Sequence, residues 1–375
     1  MIAIAGGGPT GMALALALRK HGIASQIFDA RSRDAGIADA RILALSHGSQ
    51  QSLAWLGVWP EIEATAIRTI HVSQRGGLGR TRITAEAESV PALGYVLKAS
   101  SLIAALDKAV AAAHIPLHEH SPVSGAHADA EHIHFRAGET EHSAPLLAYA
   151  EGAIAGDDDV VSRDYGQHAV ICSVSAEQAH EQRAWERFTS DGPLALLPLQ
   201  GPRGHELAVV YTCAPADAAT LAALDDSAFL ARLQQHFGQR LHFTAVTSRH
   251  VFPLGLRYRS EPVAERQAWL GNAAQTLHPV AGQGYNLALR DVRDLARTLA
   301  DGTDPGSAAI LGRYARQRRL DRHSTIGFTD GLVRLFSNDH FLLQHLRGAG
   351  LLALDLFPPA RSFVARRMMF GARAW

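Results

Sequence analysis

The chain alternates short apolar runs with helical stripes, and the order of these patterns predicts most of its elements. Ile2-Ala3-Ile4-Ala5 is a four-residue apolar run ending in Gly6-x-Gly8-x-x-Gly11. Met12 to Lys20 follows, with Leu14 and Leu18 on one helical face. Arg19 and Lys20 suit the negative end of that helix, and Gly22 supplies the left-handed stop. A second apolar strand, Ile23 to Phe28, ends in Asp29. Strand, glycine turn, helix, strand and acid, in that order, predict a dinucleotide-binding unit.

Further along, the pattern predicts a helix from Gly48 to Leu56 and strands at Ile70–Gln74 and Thr81–Thr84 around Gly76-Gly77. Ser100 or Ser101 caps a helix reaching His114, with Leu102, Leu106 and Val110 on one face. Short alternating strands follow Pro116, including His132 to Arg136, and then an apolar strand, Leu146 to Ala150, runs into Glu151-Gly152. From His168 to Cys213 the signals are mostly strand, with a hairpin turn at Gly201-Pro202-Arg203-Gly204. Ser227 to Phe237 reads as a helix closed by Gly238. A second glycine-rich segment comes late: Trp269-Leu270 ends a strand, Gly271-Asn272-Ala273-Ala274 makes a tight turn, and Gly282-Gln283-Gly284 precedes a helix from Tyr285 to Leu299. The expected fold is α/β. A Rossmann-like domain is assembled from 1–70, 96–165 and 263–310, a sheet-rich domain is inserted at 71–95 and 166–262, and a helical region occupies 311–375.

Each glycine in the first motif has a mechanical reason. Gly6 permits the tight turn, Gly8 lets phosphate oxygens approach the backbone, Gly11 allows close helix–strand packing, and Asp29 can accept hydrogen bonds from a ribose diol. Arg41 either reaches the cofactor phosphates or stays on the surface. The second loop aims unpaired N–H groups and a helix N-terminus at the other end of the dinucleotide, where they favour negative charge. A reduced flavin carries such charge at its N1–C2=O edge and a nicotinamide does not, so FAD is preferred as the cofactor.

Composition narrows this little. With 375 residues the chain is long enough for roughly two or three compact units. Its 36 basic residues balance 36 acidic ones, so nothing points to nucleic acid. Cys172 and Cys213 read as reduced core thiols, which suits a cytoplasmic protein. No apolar run approaches the roughly 18–20 residues of a spanning helix. The strand at Ile2–Ala5 leaves no room for a removable leader. The 20 histidines show no repeated ligand spacing, and no metal site is expected.

In these motifs the chain resembles the class A flavoprotein aromatic hydroxylases, whose fold is p-hydroxybenzoate hydroxylase-like, and within them the ubiquinone-pathway hydroxylases. The resemblance is carried by Asn272-Ala273-Ala274-Gln275-Thr276-Leu277-His278-Pro279, with Asn272 and Gln275 where many relatives have Asp and His. It extends to Ala40-Arg41-Ile42-Leu43-Ala44-Leu45-Ser46, to Glu186-Arg187-Phe188-Thr189 and to Thr325-Ile326-Gly327-Phe328-Thr329-Asp330. It implies a monooxygenase using NAD(P)H and O2, with oxygen activated at flavin C4a and a 2-polyprenyl-6-methoxyphenol as the prenylated phenol substrate. By position it implies that Gly6, Gly8, Gly11, Asp29 and Arg41 hold the ADP half of FAD, with Asn272, Gly282, Gly284 and Asn286 near the ribityl chain and ring. The family's mid-chain acid falls at Glu151 or at Asp158, and the preceding apolar strand favours Glu151.

His278 and Pro279 are then the residues expected near the reacting centre. His278 is either a base for the phenol, suited by an ordinary pKa of about 6.5, or an imidazole bonded to backbone in a turn stiffened by Pro279. A prenyl tail also implies contact with a membrane surface, peripherally at the inner membrane. After Asp355 the chain has Arg361, Arg366, Arg367 and Arg373, no acid, and interleaved Phe363, Met368, Met369, Phe370 and Trp375. That is either an interfacial helix or a packed helix with a solvated basic face. The rival functions are hydroxylation of another phenol and a non-catalytic flavin-fold scaffold in a ubiquinone-synthesising assembly.

Overall fold

The computed structural model describes residues 1–34, 39, 41–77, 79–154, 159–189, 191–336 and 341–373; Asp158 and Trp375 lie outside them. Its first layer is a six-stranded sheet in the order Val263–Ala264, Gln267–Trp269, Leu147–Tyr149, Ile2–Ala5, Ser25–Phe28, Leu117–His118. All neighbours are parallel except the first pair. Strand Ile2–Ala5 is central and buried along its whole length, which is why it is apolar at every position rather than alternating.

Helix α1 (Pro9–Lys20) starts directly after Gly8, with proline at its first position where no N–H is missed. Helix α2 (His47–Leu56) is capped by Ser46 and stops at Gly57 in the left-handed region. Helix α3 (Ala99–Ala112) has no side-chain cap, contrary to the serine expectation. The Ser101 hydroxyl instead accepts from the Glu63 N–H, a tertiary contact that sequence spacing does not reveal. Leu14 and Leu18 of α1 pack with Leu102 and Leu106 of α3 and with Ile4 in one core.

The second layer is a nine-stranded sheet, antiparallel except where Arg183–Phe188 runs beside Thr69–Gln74. Its longest strand, Val160–Ala176, is continuous, so the segment junction expected at 165/166 falls inside it. One face of this sheet is covered by α4 (Pro215–Ala223) and α5 (Asp226–Phe237), through a core of Phe229, Leu233 and Phe237 against Val170, Val209 and Trp185. Helix α4 has no counterpart in the sequence expectation. Cys172 and Cys213 are buried in this layer as free thiols.

Four helices complete the chain: α6 (Gln283–Ala300), α7 (Ala308–Phe336), α8 (Phe341–Leu356) and α9 (Pro358–Phe370). The opposite face of the nine-stranded sheet looks onto α7, α8 and α9 across a cavity. Among the described residues, no helix is long and apolar enough to cross a membrane.

Candidate active site

The first glycine loop leaves the edge of strand Ile2–Ala5 and turns into α1. Gly6 sits at φ +106°, and a Cβ there would come within 2.8 Å of the Ala150 carbonyl and the Glu151 N–H. At Gly11 a Cβ would lie 1.9 Å from the Gly6 carbonyl oxygen, so helix and strand can meet only without one. Glu151 thus emerges beside the loop, directly after strand Leu147–Tyr149, as the apolar strand implied. Asp29 accepts the Gly7 N–H at 2.6 Å and the Arg31 N–H at 2.7 Å, with Arg31 Nε at 3.4 Å. That leaves its carboxylate about one more acceptor site for a ribose hydroxyl. Gly7, Gly8, Pro9, Asp29 and Arg41 line a cleft of 250 Å³. Arg41 faces it with its fork on Asp39, Nε at 3.0 Å and Nη2 at 2.6 Å.

The second glycine loop, some 270 residues later in the chain, lies against the first. The Tyr285 hydroxyl donates to the Pro9 carbonyl at 3.2 Å, and a Cβ on Gly271 would meet Thr10 Oγ1 at 2.9 Å. Gly282 takes the left-handed conformation, φ 60°, to open α6, and the first-turn Gly284 has no side chain or backbone near its missing Cβ. Asn272 donates to the Gly152 carbonyl at 3.3 Å and ties this loop to the residue after Glu151. A glycine cradle, an acid and a helix N-terminus on one cleft, with a second helix N-terminus alongside, fit the two ends of FAD.

Asn286 departs from expectation. Its Oδ1 accepts from the Ser46 N–H at 2.8 Å and the Ser49 hydroxyl at 2.7 Å, while Nδ2 donates to the Ala44 and Gly282 carbonyls at 3.1 and 2.6 Å. The amide's four bonding positions are filled by the protein, so its side chain is a clamp between strand Ile42–Ser46 and α6 rather than a free cofactor ligand. Gln275 is likewise structural. It donates to Asp291 at 2.8 Å and accepts from Arg322 Nε at 2.8 Å.

His278 is 1% exposed. Its Nδ1 accepts the Val280 N–H at 3.1 Å, which puts the ring proton on Nε2, an atom buried without a partner among the described residues. Burial pushes its pKa down to about 4. The ring packs edge-on against Tyr165, and it is Pro279 and Val280 that reach the cavity wall. Of the two readings open for His278, this geometry matches the backbone-bonded imidazole. The cavity has a volume of 470 Å³ and is walled mainly by apolar side chains of the nine-stranded sheet and of α7 to α9, with Gly282 and Asn286 at one side.

A family model described as FAD binding domain matches residues 1–328. Ubiquinone hydroxylase UbiL of Rhodospirillum rubrum is 31% identical over 394 residues, covering 98% of this chain and 89% of that protein. The 3-demethoxyubiquinol 3-hydroxylase of Escherichia coli is 30% identical and covers 94% of both. The chain belongs to the ubiquinone-pathway family of class A FAD-dependent aromatic hydroxylases. Among solved structures, Klebsiella pneumoniae HpxO complexed with FAD and uric acid shares the fold, with a TM-score of 0.77 at 17% identity, over 99% of this chain and 97% of that one. FAD is the cofactor of this hydroxylase, and NAD(P)H is the co-substrate typical of its family.

Two features of the hydroxylase's site were not legible from motifs. The Ser46, Ser49 and Asn286 clamp joins residues about 240 apart in sequence. The carboxyl of Glu186 on the cavity wall is the second. Within Glu186-Arg187-Phe188-Thr189, only strand register shows which side chains face inward.

Proposed function

We propose that this hydroxylase oxygenates the aromatic ring of a 2-polyprenyl-6-methoxyphenol in ubiquinone biosynthesis, with NAD(P)H and O2 as co-substrates. The observation that carries the reading is the 470 Å³ apolar cavity meeting the second glycine loop. It has the size and lining of a small-molecule site suited to a hydrophobic ring and the start of a prenyl chain. The names of the relatives point to the same pathway. Bound FAD supplies the redox chemistry that activates oxygen. In this reading Gly6, Gly8, Gly11, Asp29 and Arg41 receive its ADP half, and the backbone of Gly282 and Gly284, with Asn272 beside them, receives the rest. His278 braces the loop, Pro279 forms the wall against the substrate, and the enclosing sheet and helices exclude water. The three-part FAD domain and inserted substrate domain belong to the same proposal.

The test is anaerobic reduction of the FAD-loaded protein by NADH and by NADPH, with and without a prenylated methoxyphenol. Accelerated bleaching of the flavin, and a product carrying one added oxygen once air is admitted, are expected. Faster turnover with a small soluble phenol would move the substrate class. Unstimulated reduction and no product would leave the scaffold reading.

The reading extends to a lipid surface, because a polyprenyl substrate is not delivered from water. Leu356, Phe357 and Phe363 at the α8–α9 junction are 73%, 59% and 52% exposed, while Leu351, Leu354 and Val364 of the same helices line the cavity. The basic tail contributes less than its composition implies. Arg361 bonds the Asp355 carbonyl and Arg366 lies 3.6 Å from Glu88, while Met368 and Met369 face the cavity. Replacing Leu356 and Phe357 with Asp is expected to cut co-sedimentation with anionic liposomes severalfold. Undiminished sedimentation rules this surface out.

A further inference from the structure

The face of the nine-stranded sheet that lines the cavity is apolar apart from two threonines and one carboxyl. Register fixes its position. Thr81 pairs with Val72, Val72 with Glu186, Glu186 with Ala195, and Ala195 with Val210. All five residues border the cavity, so Glu186 stands at the middle of a cross-strand row. Its neighbours two residues away on the same strand, Ala184 and Phe188, face the same way, as strand alternation requires. The carboxyl has no hydrogen-bond or ion-pair partner among the described residues. Glu186 is half-buried, and a carboxyl held among apolar side chains costs free energy unless something pairs with it. Here the free space beside it is the cavity itself.

We infer that Glu186 is the proton acceptor for the ring hydroxyl of the bound phenol. The inference rests on the phenolic substrate proposed above. In the step, the phenol O–H bond breaks and an O–H bond forms on a Glu186 carboxyl oxygen, leaving the electron pair on the ring oxygen and raising the ring's nucleophilicity. Nothing is oxidised or reduced in this exchange. The same carboxyl returns its proton to the ring oxygen when aromaticity is restored, which resets it for the next cycle.

The surroundings suit the task. Burial alone pushes the Glu186 carboxyl up to about 7, so near neutrality it is poised between its two forms. His278 is pushed down to about 4 and is not part of the wall. Among the described residues, the other charged group on the wall is Arg347 of α8, which has interactions of its own. Arg80, Arg82, Arg183, Arg187 and His71 occupy the alternate positions of the same strands, on the sheet's other face. From α7, Asp330 is engaged by Arg163, Tyr165 and Arg334, and from α9, Arg361, Arg366 and Arg367 are engaged by Asp355, Glu88 and Ser324.

The test uses the full-length FAD-loaded protein with two probes, 2-methoxyphenol and its O-methyl ether, whose binding is read from the flavin absorbance between about pH 5 and about pH 9. An ionised carboxylate is a much stronger acceptor for the phenol O–H than a protonated carboxyl, whose own O–H can donate to either probe. Affinity for the phenol is therefore expected to rise about tenfold as pH climbs through the Glu186 transition, while affinity for the ether, which has no O–H to donate, does not rise. In Glu186→Gln both profiles are flat, and single-turnover hydroxylation falls by roughly 10²-fold, the lower range for a general base. Glu186→Asp keeps the pH step and part of the rate. A Glu186→Gln protein that retains the step and the rate overturns the inference. So does a step within this range that disappears in His278→Gln instead of in Glu186→Gln. If neither probe perturbs the flavin while NAD(P)H still reduces it, the phenolic reading fails and the inference fails with it.

Discussion

Gly11→Ala is expected to purify without flavin and to melt well below the parent, whereas Gly8→Ala is expected to melt normally as apoprotein and still fail to hold FAD. The two glycines lie three residues apart in one loop but are constrained by different things. At Gly11 the added methyl would sit 1.9 Å from the Gly6 carbonyl oxygen and 3.3 Å from Ile4 Cγ2, both parts of the buried central strand and its turn. Neither neighbour is a flexible side-chain tip, so α1 must lift off the sheet. The cost is at least about 3 kcal/mol, the upper end for overpacking. At Gly8 nothing lies within 4 Å of the added methyl, and the backbone there, at φ −75° and ψ −177°, suits alanine. The stability change is expected to stay within about 0.5 kcal/mol. What the methyl occupies instead is the cleft where a pyrophosphate would approach the backbone. Thermal melts of the apoproteins, together with FAD content after gel filtration, separate the two effects. Full FAD retention by Gly8→Ala would remove this loop from the cofactor site.

The first motif was legible because everything that defines it is local. Strand, turn, helix and acid follow one another within 29 residues, and each signal is a residue type acting on its own backbone. The second helix was legible for the same reason, to within two residues at its start. What escaped depends on partners far away in sequence. Asn286 looks like a ligand beside a glycine loop, yet its amide is used up by Ser46, Ser49, Ala44 and Gly282. His278 drew attention because an imidazole has a convenient ordinary pKa, and burial removes that convenience. Glu186 was one letter in a matching run, and only the register of four strands brings it to the centre of a wall. Helix α4 was missed because its alanine-rich sequence gives a weak periodic signal, and its burial rests on Ala218 and Leu221 against a sheet built elsewhere in the chain.

Arg318→Met is expected to lower stability by about 3–5 kcal/mol, the range for breaking a buried ion pair from one side, and to release FAD on the way. Arg318 is 2% exposed and holds three carboxylates: Asp291 at 2.7 Å, Asp294 at 3.1 Å and Asp321 at 2.8 Å. Methionine fills a similar volume, so the loss is chiefly electrostatic, with Asp321 left to Arg290 and Asp291 to Gln275 and the Gly271 N–H. The cofactor consequence follows from Asp291. Besides Arg318, it accepts from Gln275 Nε2 at 2.8 Å and from the Gly271 N–H at 3.3 Å, which fixes the turn leading to the second glycine loop. The pH dependence gives the cause a signature. Burial raises the Asp321 carboxyl, but Arg290 and Arg318 more than offset it, so its folded pKa lies below the unfolded value. In the parent, that contribution is present at neutral pH and is lost as pH falls through the folded pKa. In Arg318→Met, Asp321 loses one of the two guanidiniums that hold its pKa down, so the gap between parent and variant narrows as pH falls towards about 4. Arg318→Lys keeps the charge without the fork and is expected to fall between the two. Denaturant melts at neutral and acid pH measure all three proteins. A gap that stays constant with pH would mean that lost packing, rather than the lost Arg318 charge, destabilises the variant.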